Sequence, residues 1–194
     1  MTLLSLPWSL EPTPWLTGSN YWWGGEPKYN RTQWSLINTN KPDEIITMPT
    51  GNGGNKNPND CLPTTLSEIE QVRGGSRTYE FFLKELGNRY TPEGVATKVA
   101  EYEEMLNKYF MAVKIDGKLY NIFDPNFMKG ISNSNGVVSV YFGGELGHVD
   151  NVRKLKVFYN APNLNKLIFR NPRYNINQMN FRVNDDIKGV FVVY

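Results

Sequence analysis

The chain has 194 residues, 40% of them hydrophobic, enough for one domain with a buried core. Its 21 basic and 19 acidic side chains leave a net charge of +2 with no Lys/Arg run, which gives no footprint for nucleic acid or an anionic membrane surface. The single cysteine, Cys61, excludes an intramolecular disulfide, and no apolar run approaches the ~18 residues needed to cross a bilayer.

Residues 1–50 read as an irregular, Trp-rich N-terminal arm. They hold all five tryptophans (Trp8, Trp15, Trp22, Trp23 and Trp34) and three prolines in the first fourteen positions, with no sustained helical or strand period. The indoles either staple the arm to the core or offer an aromatic platform to a sugar or a partner protein. The opening Met1–Pro7 lacks a basic start and breaks at proline, unlike a signal peptide.

Residues 51–194 read as an α+β domain. Gly51–Asn59 is a loop of turn formers. Beyond it Leu62, Leu66, Ile69 and Val72 recur at helical spacing, Pro63 suits the first helical position, and Gly74-Gly75 stops the helix. Tyr79, Phe82, Leu83 and Leu86 mark a second helix closed by Gly87. Thr91, Pro92 and Glu93 form a start signal for a third, with Val95, Val99, Tyr102 and Leu106 as its buried stripe. From Tyr109 the texture turns to strand: 110–115 and 118–123 joined at Asp116-Gly117 and ended by Asp124-Pro125, then 137–142. A second hairpin is expected from 149–152 and 155–159, turning at Arg153-Lys154, followed by strands at 167–170 and 190–194. Helices first and antiparallel strands afterwards predict helices packed on one face of a sheet.

One cysteine and one histidine leave a single possible Cys–His pair, Cys61 with His148. Cys61 falls where the loop becomes a helix, and the positive end of a helix dipole favours a thiolate over the free thiol of pKa about 8.5. Nucleophilic cysteine also needs a base within hydrogen-bond reach and a third group that orients the ring. His148 opens a predicted strand. Asn160, at the end of the next one, is the natural orienter, and Asp150, two residues along on the face of His148, is a second candidate.

The segment Cys-x-Pro-Thr-x-Leu at Cys61–Leu66, after Asn59-Asp60, resembles the nucleophile helix of papain-like cysteine peptidases, especially the bacteriocin-leader-processing branch. The order Cys helix, further helices, Gly147-His148-Val149 and Asn160-Ala161-Pro162 is similar to that family's as well. It looks closest to papain-like domains at the C-termini of Bacteroidetes polymorphic toxins, and the likeness covers about residues 55–162. The resemblance implies a papain-like fold over 51–194 and a cysteine protease with catalytic Cys61, His148 and Asn160. It implies a protein or peptide substrate, a secreted or delivered effector, and a cognate immunity protein as partner. The family's oxyanion Gln is missing before Cys61; Asn55 and Asn57 are the amides in its place, with the Cys61 N–H as second donor. Leu62 stands where that branch has Gly, and Asp124-Pro125 matches the family's Asp-Pro better than Asn160 does, which opens the reading of a degenerate, inactive domain.

The competing class is a non-catalytic structural or binding protein, a phage virion component or carbohydrate-binding module, built on the tryptophan arm. No metal, nucleotide cofactor, nucleic acid or membrane is expected. No spacing resembles a zinc or calcium loop, and Gly51–Gly54 lacks the Gly-Lys-Ser/Thr of a phosphate loop.

Overall fold

The computed structural model describes residues 43–49, 60–87, 98–115, 122–144, 147–181 and 186–194. The Trp-rich segment, Asn55, Asn57, the Thr91 start signal and the Asp116-Gly117 turn lie outside the described residues.

The described chain is an α+β fold of five helices and a seven-stranded antiparallel sheet. Its elements are β1 (Glu44–Thr47), α1 (Cys61–Val72), α2 (Tyr79–Leu86), α3 (Val99–Tyr109), β2 (Ala112–Lys114), α4 (Pro125–Asn133), β3 (Val137–Phe142), β4 (His148–Val157), β5 (Lys166–Phe169), β6 (Ile176–Asn177), the single-turn α5 (Gln178–Phe181) and β7 (Ile187–Val193). The sheet runs β2-β7-β3-β4-β5-β6. β4 is long enough for β3 to pair with His148–Asn151 and β1 with Lys154–Val157. Residues 43–49, expected in the arm, thus join the sheet.

β3 explains why the sheet has two cores. Every residue of its run Val-Val-Ser-Val-Tyr-Phe is buried, as a strand covered on both faces requires. Val137 and Tyr141 pack with Leu62, Leu66 and Ile69 of α1, Phe82 of α2 and Leu106 of α3. Val138, Val140 and Phe142 pack on the opposite side with Met128 and Ile131 of α4 and Phe181 of α5. Ser139, on the first face, is accommodated because its Oγ lies 2.6 Å from the buried Tyr102 hydroxyl. Helices therefore cover both faces, not the one expected.

The Asp60 carbonyl accepts the first α1 bond from Thr64 N–H at 3.1 Å, so Cys61 is the first helical residue and α1 starts two residues before the start expected at Pro63, which sits in the first turn, where no donor is needed. Gly74 takes φ +72°, and the bonds Gly74 N–H to Gln71 O (3.0 Å) and Gly75 N–H to Glu70 O (2.9 Å) close α1 in a Schellman motif. Thr78 Oγ1 accepts Phe81 N–H to open α2, and Gly87 at φ +52° ends it. α3 opens at Val99, where Glu101 reaches back to accept Lys98 N–H at 2.9 Å.

Two expected features differ. Asp124-Pro125 begins α4 instead of ending a strand: Asp124 Oδ1 accepts Asn126 N–H at 2.9 Å and Pro125 takes the first position. Asp124 is thus a helix cap, and β2 pairs with β7. Arg153-Lys154 does not turn. It lacks a residue suited to positive φ, Leu155 beyond it is fully buried, and β4 passes through with a register shift against β5 between Val152 and Lys154. Among the described residues no helix is long and apolar enough to cross a membrane.

Candidate active site

α1 is buried on all sides from Leu62 to Glu70, including Thr64, Thr65, Ser67, Glu68 and Glu70. Such a helix needs polar partners, and it finds them on β4: Thr65 Oγ1 donates to Val149 O at 3.1 Å and Asn151 Nδ2 donates to Thr65 O at 3.1 Å. These contacts seat the mouth of α1 beside the first residues of β4. Asp60, fully buried at the N-cap position, does not cap the helix; its carboxylate accepts a hydrogen bond from the Tyr79 hydroxyl.

Cys61 and His148 meet at this junction, each near enough to act on the other's charge, and the Val149 N–H also acts on the Cys61 sulfur. The His148 side chain is 12% exposed, and its Nε2 lies 3.7 Å from Oδ2 of the fully buried Asp150, ion-pair range and longer than a hydrogen bond. Period two along β4 puts His148 and Asp150 on one face of the strand. Tyr174 stacks flat on the imidazole, ring centroids 3.9 Å apart and planes 7° from parallel.

Asp150 is held by donors alone. Oδ1 accepts Asn151 N–H at 2.9 Å, Oδ2 accepts Asn171 N–H at 3.0 Å, and Arg170 lies 3.5 Å from Oδ1.

The electrostatics push thiol and imidazole in opposite directions. Burial alone pushes the Cys61 thiol up, but the His148 hydrogen bond and charge, the Val149 N–H and Arg170 outweigh it and leave it below its ordinary value. Burial pushes His148 down, while Asp150 and Cys61 outweigh that and hold it above the ordinary value. Opposite shifts favour a thiolate–imidazolium pair, the reactive form of a nucleophilic cysteine.

Of the expected residues, Cys61 and His148 come together. Asn160 does not join them: it is an exposed residue of the turn following β4, whose ten residues, about 30 Å of extended chain, separate it from His148 at the other end. Because β4 does not fold back at Arg153-Lys154, the carboxylate within ion-pair range of the His148 ring is Asp150. Asn55 and Asn57 lie outside the described residues, so the Cys61 N–H is the donor of the expected oxyanion set that can be placed, free of any intrahelical bond at the first helical position. Sequence reasoning missed Glu68, Arg170 and Tyr174. Nothing local marks them, since 102 positions separate Glu68 from its partner Arg170. Among the described residues no group of three or more His, Cys, Asp or Glu is placed to hold a metal ion. No protein-family model and no curated protein gives a match to this sequence.

Proposed function

We propose that the protein is a papain-like cysteine hydrolase, cleaving peptide or related amide bonds through Cys61, His148 and Asp150. One observation carries the reading: the only thiol and the only imidazole of the chain meet where α1 joins β4, beside the buried Asp150 at 3.7 Å from the ring, and each favours the charged form of the other. The Cys61 helix ahead of six of the sheet's seven strands, with the histidine opening one of them, supports the papain-like assignment. Placing the acid on the histidine's own strand is this chain's departure from the pattern it resembles.

In the first half-reaction the Cys61 thiolate attacks the amide carbonyl carbon. A C–S bond forms and the π electrons move to oxygen, where the Cys61 N–H donates. Collapse of this intermediate breaks the C–N bond, and the departing amine takes its proton from the His148 imidazolium. Neutral His148 then accepts a proton from water, which attacks the thioester and releases the carboxylic acid and the thiolate. Asp150 holds the ring and stabilises its charged form throughout. An amine in place of water gives acyl transfer by the same steps. In the effector setting that the resemblance implies, the substrate is a protein of the target cell, and the immunity protein acts by covering Cys61.

The test is turnover of a denatured protein mixture, read by mass spectrometry of new peptide termini, for the wild type, Cys61→Ala and His148→Ala. Cleavage abolished in both variants supports the proposal. Cleavage that persists in Cys61→Ala overturns it.

A further inference from the structure

Behind the three site residues lies a second set of buried charges. Glu68 follows Cys61 by seven residues, about two turns of α1, and only 1% of its side chain is exposed. Its Oε1 accepts from Arg153 at 2.6 Å, and its Oε2 accepts from Arg170 at 3.0 Å and from Asn151 at 3.1 Å. Arg170 follows β5 directly and is 10% exposed. It also reaches Thr65 Oγ1 at 3.3 Å and approaches Asp150 Oδ1 to 3.5 Å. One guanidinium therefore contacts both the nucleophile's helix and the acid on the histidine's strand.

We propose that Arg170 is the positioning residue of this site: gripped by Glu68 and Thr65 of α1, its guanidinium fixes Asp150 so that Oδ2 faces His148 while the same grip sets the distance between thiol and imidazole. The inference rests on the Cys61–His148–Asp150 reading and extends it. The fork matters because a planar guanidinium presents rigid donors in several directions at once, which a lysine ammonium on a flexible stem does not. Charge matters too. Glu68 and Asp150 are balanced by Arg153 and Arg170, and loss of Arg170 alone leaves a surplus buried anion, which costs stability. Among the described residues, the phenols of Tyr102, Tyr141 and Tyr174 also interact with the Cys61 charge, each pushed up by burial.

Three variants of the full chain separate positioning from scaffolding: Arg170→Lys, Arg170→Met, and the double change Glu68→Gln with Arg170→Met, which removes one buried anion with the cation. Each is read by the pH profile of Cys61 alkylation with iodoacetamide, by kcat and KM for peptide cleavage, and by thermal midpoint. Both single variants should move the acidic limb of alkylation up by about one pH unit. Their kcat should fall about tenfold or more, with KM within about twofold. The double variant should recover thermal stability and keep the displaced profile. A double variant that regains the wild-type profile shows Arg170 to be only the counterion of Glu68 and overturns the proposal, as do folded single variants that alkylate like wild type. A wild-type thiol that titrates near its ordinary value of about 8.5 refutes instead the catalytic reading beneath it.

Discussion

Replacing Asp150 by Asn tests the third member of the site in the most demanding way, because every group around its carboxylate is a donor: Asn151 N–H, Asn171 N–H, Arg170 and the His148 ring. An amide turned either way sets its NH2 against at least one of them, and its charge is gone. Unit charges at the observed 3.7 Å interact by about 4 kcal/mol at an effective dielectric of about 20, a ceiling of about three pKa units on His148. Arg170 beside Asp150 and the residual exposure of the ring reduce this to about 1–2 units. The sign follows from the cause. Burial pushes His148 down and Asp150 is foremost in restoring it, so Asp150→Asn lets the imidazolium lose its proton at lower pH. The alkaline limb of the kcat profile should therefore move down by about 1–2 pH units, with kcat at the optimum reduced about a hundredfold. Mispaired donors should also cost about 1–3 kcal/mol of stability, measured separately by urea unfolding. An Asp150→Asn enzyme that folds and retains both the wild-type limb and the wild-type rate refutes this role.

Asn160→Ala should leave alkylation and turnover within about twofold of wild type, because Asn160 lies past the far end of β4; a loss comparable to that of Asp150→Asn would return the orienting role to it. Gly75→Ala should lower stability by about 1–3 kcal/mol in thermal unfolding. Its Cβ would fall 1.9 Å from Glu70 Oε1, and three donors of Arg77 hold that carboxylate in place. Gly130→Ala on the exposed side of α4 meets nothing within 4 Å and should raise stability by about 0.5–1 kcal/mol in the same assay.

Where a local signal suffices, the sequence forecasts the structure closely. Gly87 closes α2, Gly74-Gly75 closes α1, and β3 spans the forecast residues 137–142. Where long-range partners decide, it does not. Arg153-Lys154 looks like a turn because two adjacent charges suggest solvent, yet Arg153 is drawn to Glu68 on α1, 85 positions away. Asp124-Pro125 carries equally good signals for ending a strand and for starting a helix, and burial of Met128 and Ile131 selects the helix. At the site, nucleophile and imidazole were legible because the chain has one of each, and Asp150 because period two puts it on the histidine's face. Asn160 lies past the end of β4 because the turn expected at Arg153-Lys154 is not made. Arg170 and Glu68 could not be read at all, since a buried ion pair leaves no periodic trace in the chain.

The most direct measurement of the central claim is the rate of Cys61 alkylation against pH, in wild type and in His148→Ala. The account predicts that wild-type alkylation persists well below pH 8, because His148 holds the thiol ionised against burial. In His148→Ala, burial acts with less opposition, and reactivity should collapse to one titration at or above about pH 8.5. A wild-type thiol with that ordinary titration, or a profile indifferent to loss of His148, would contradict the account.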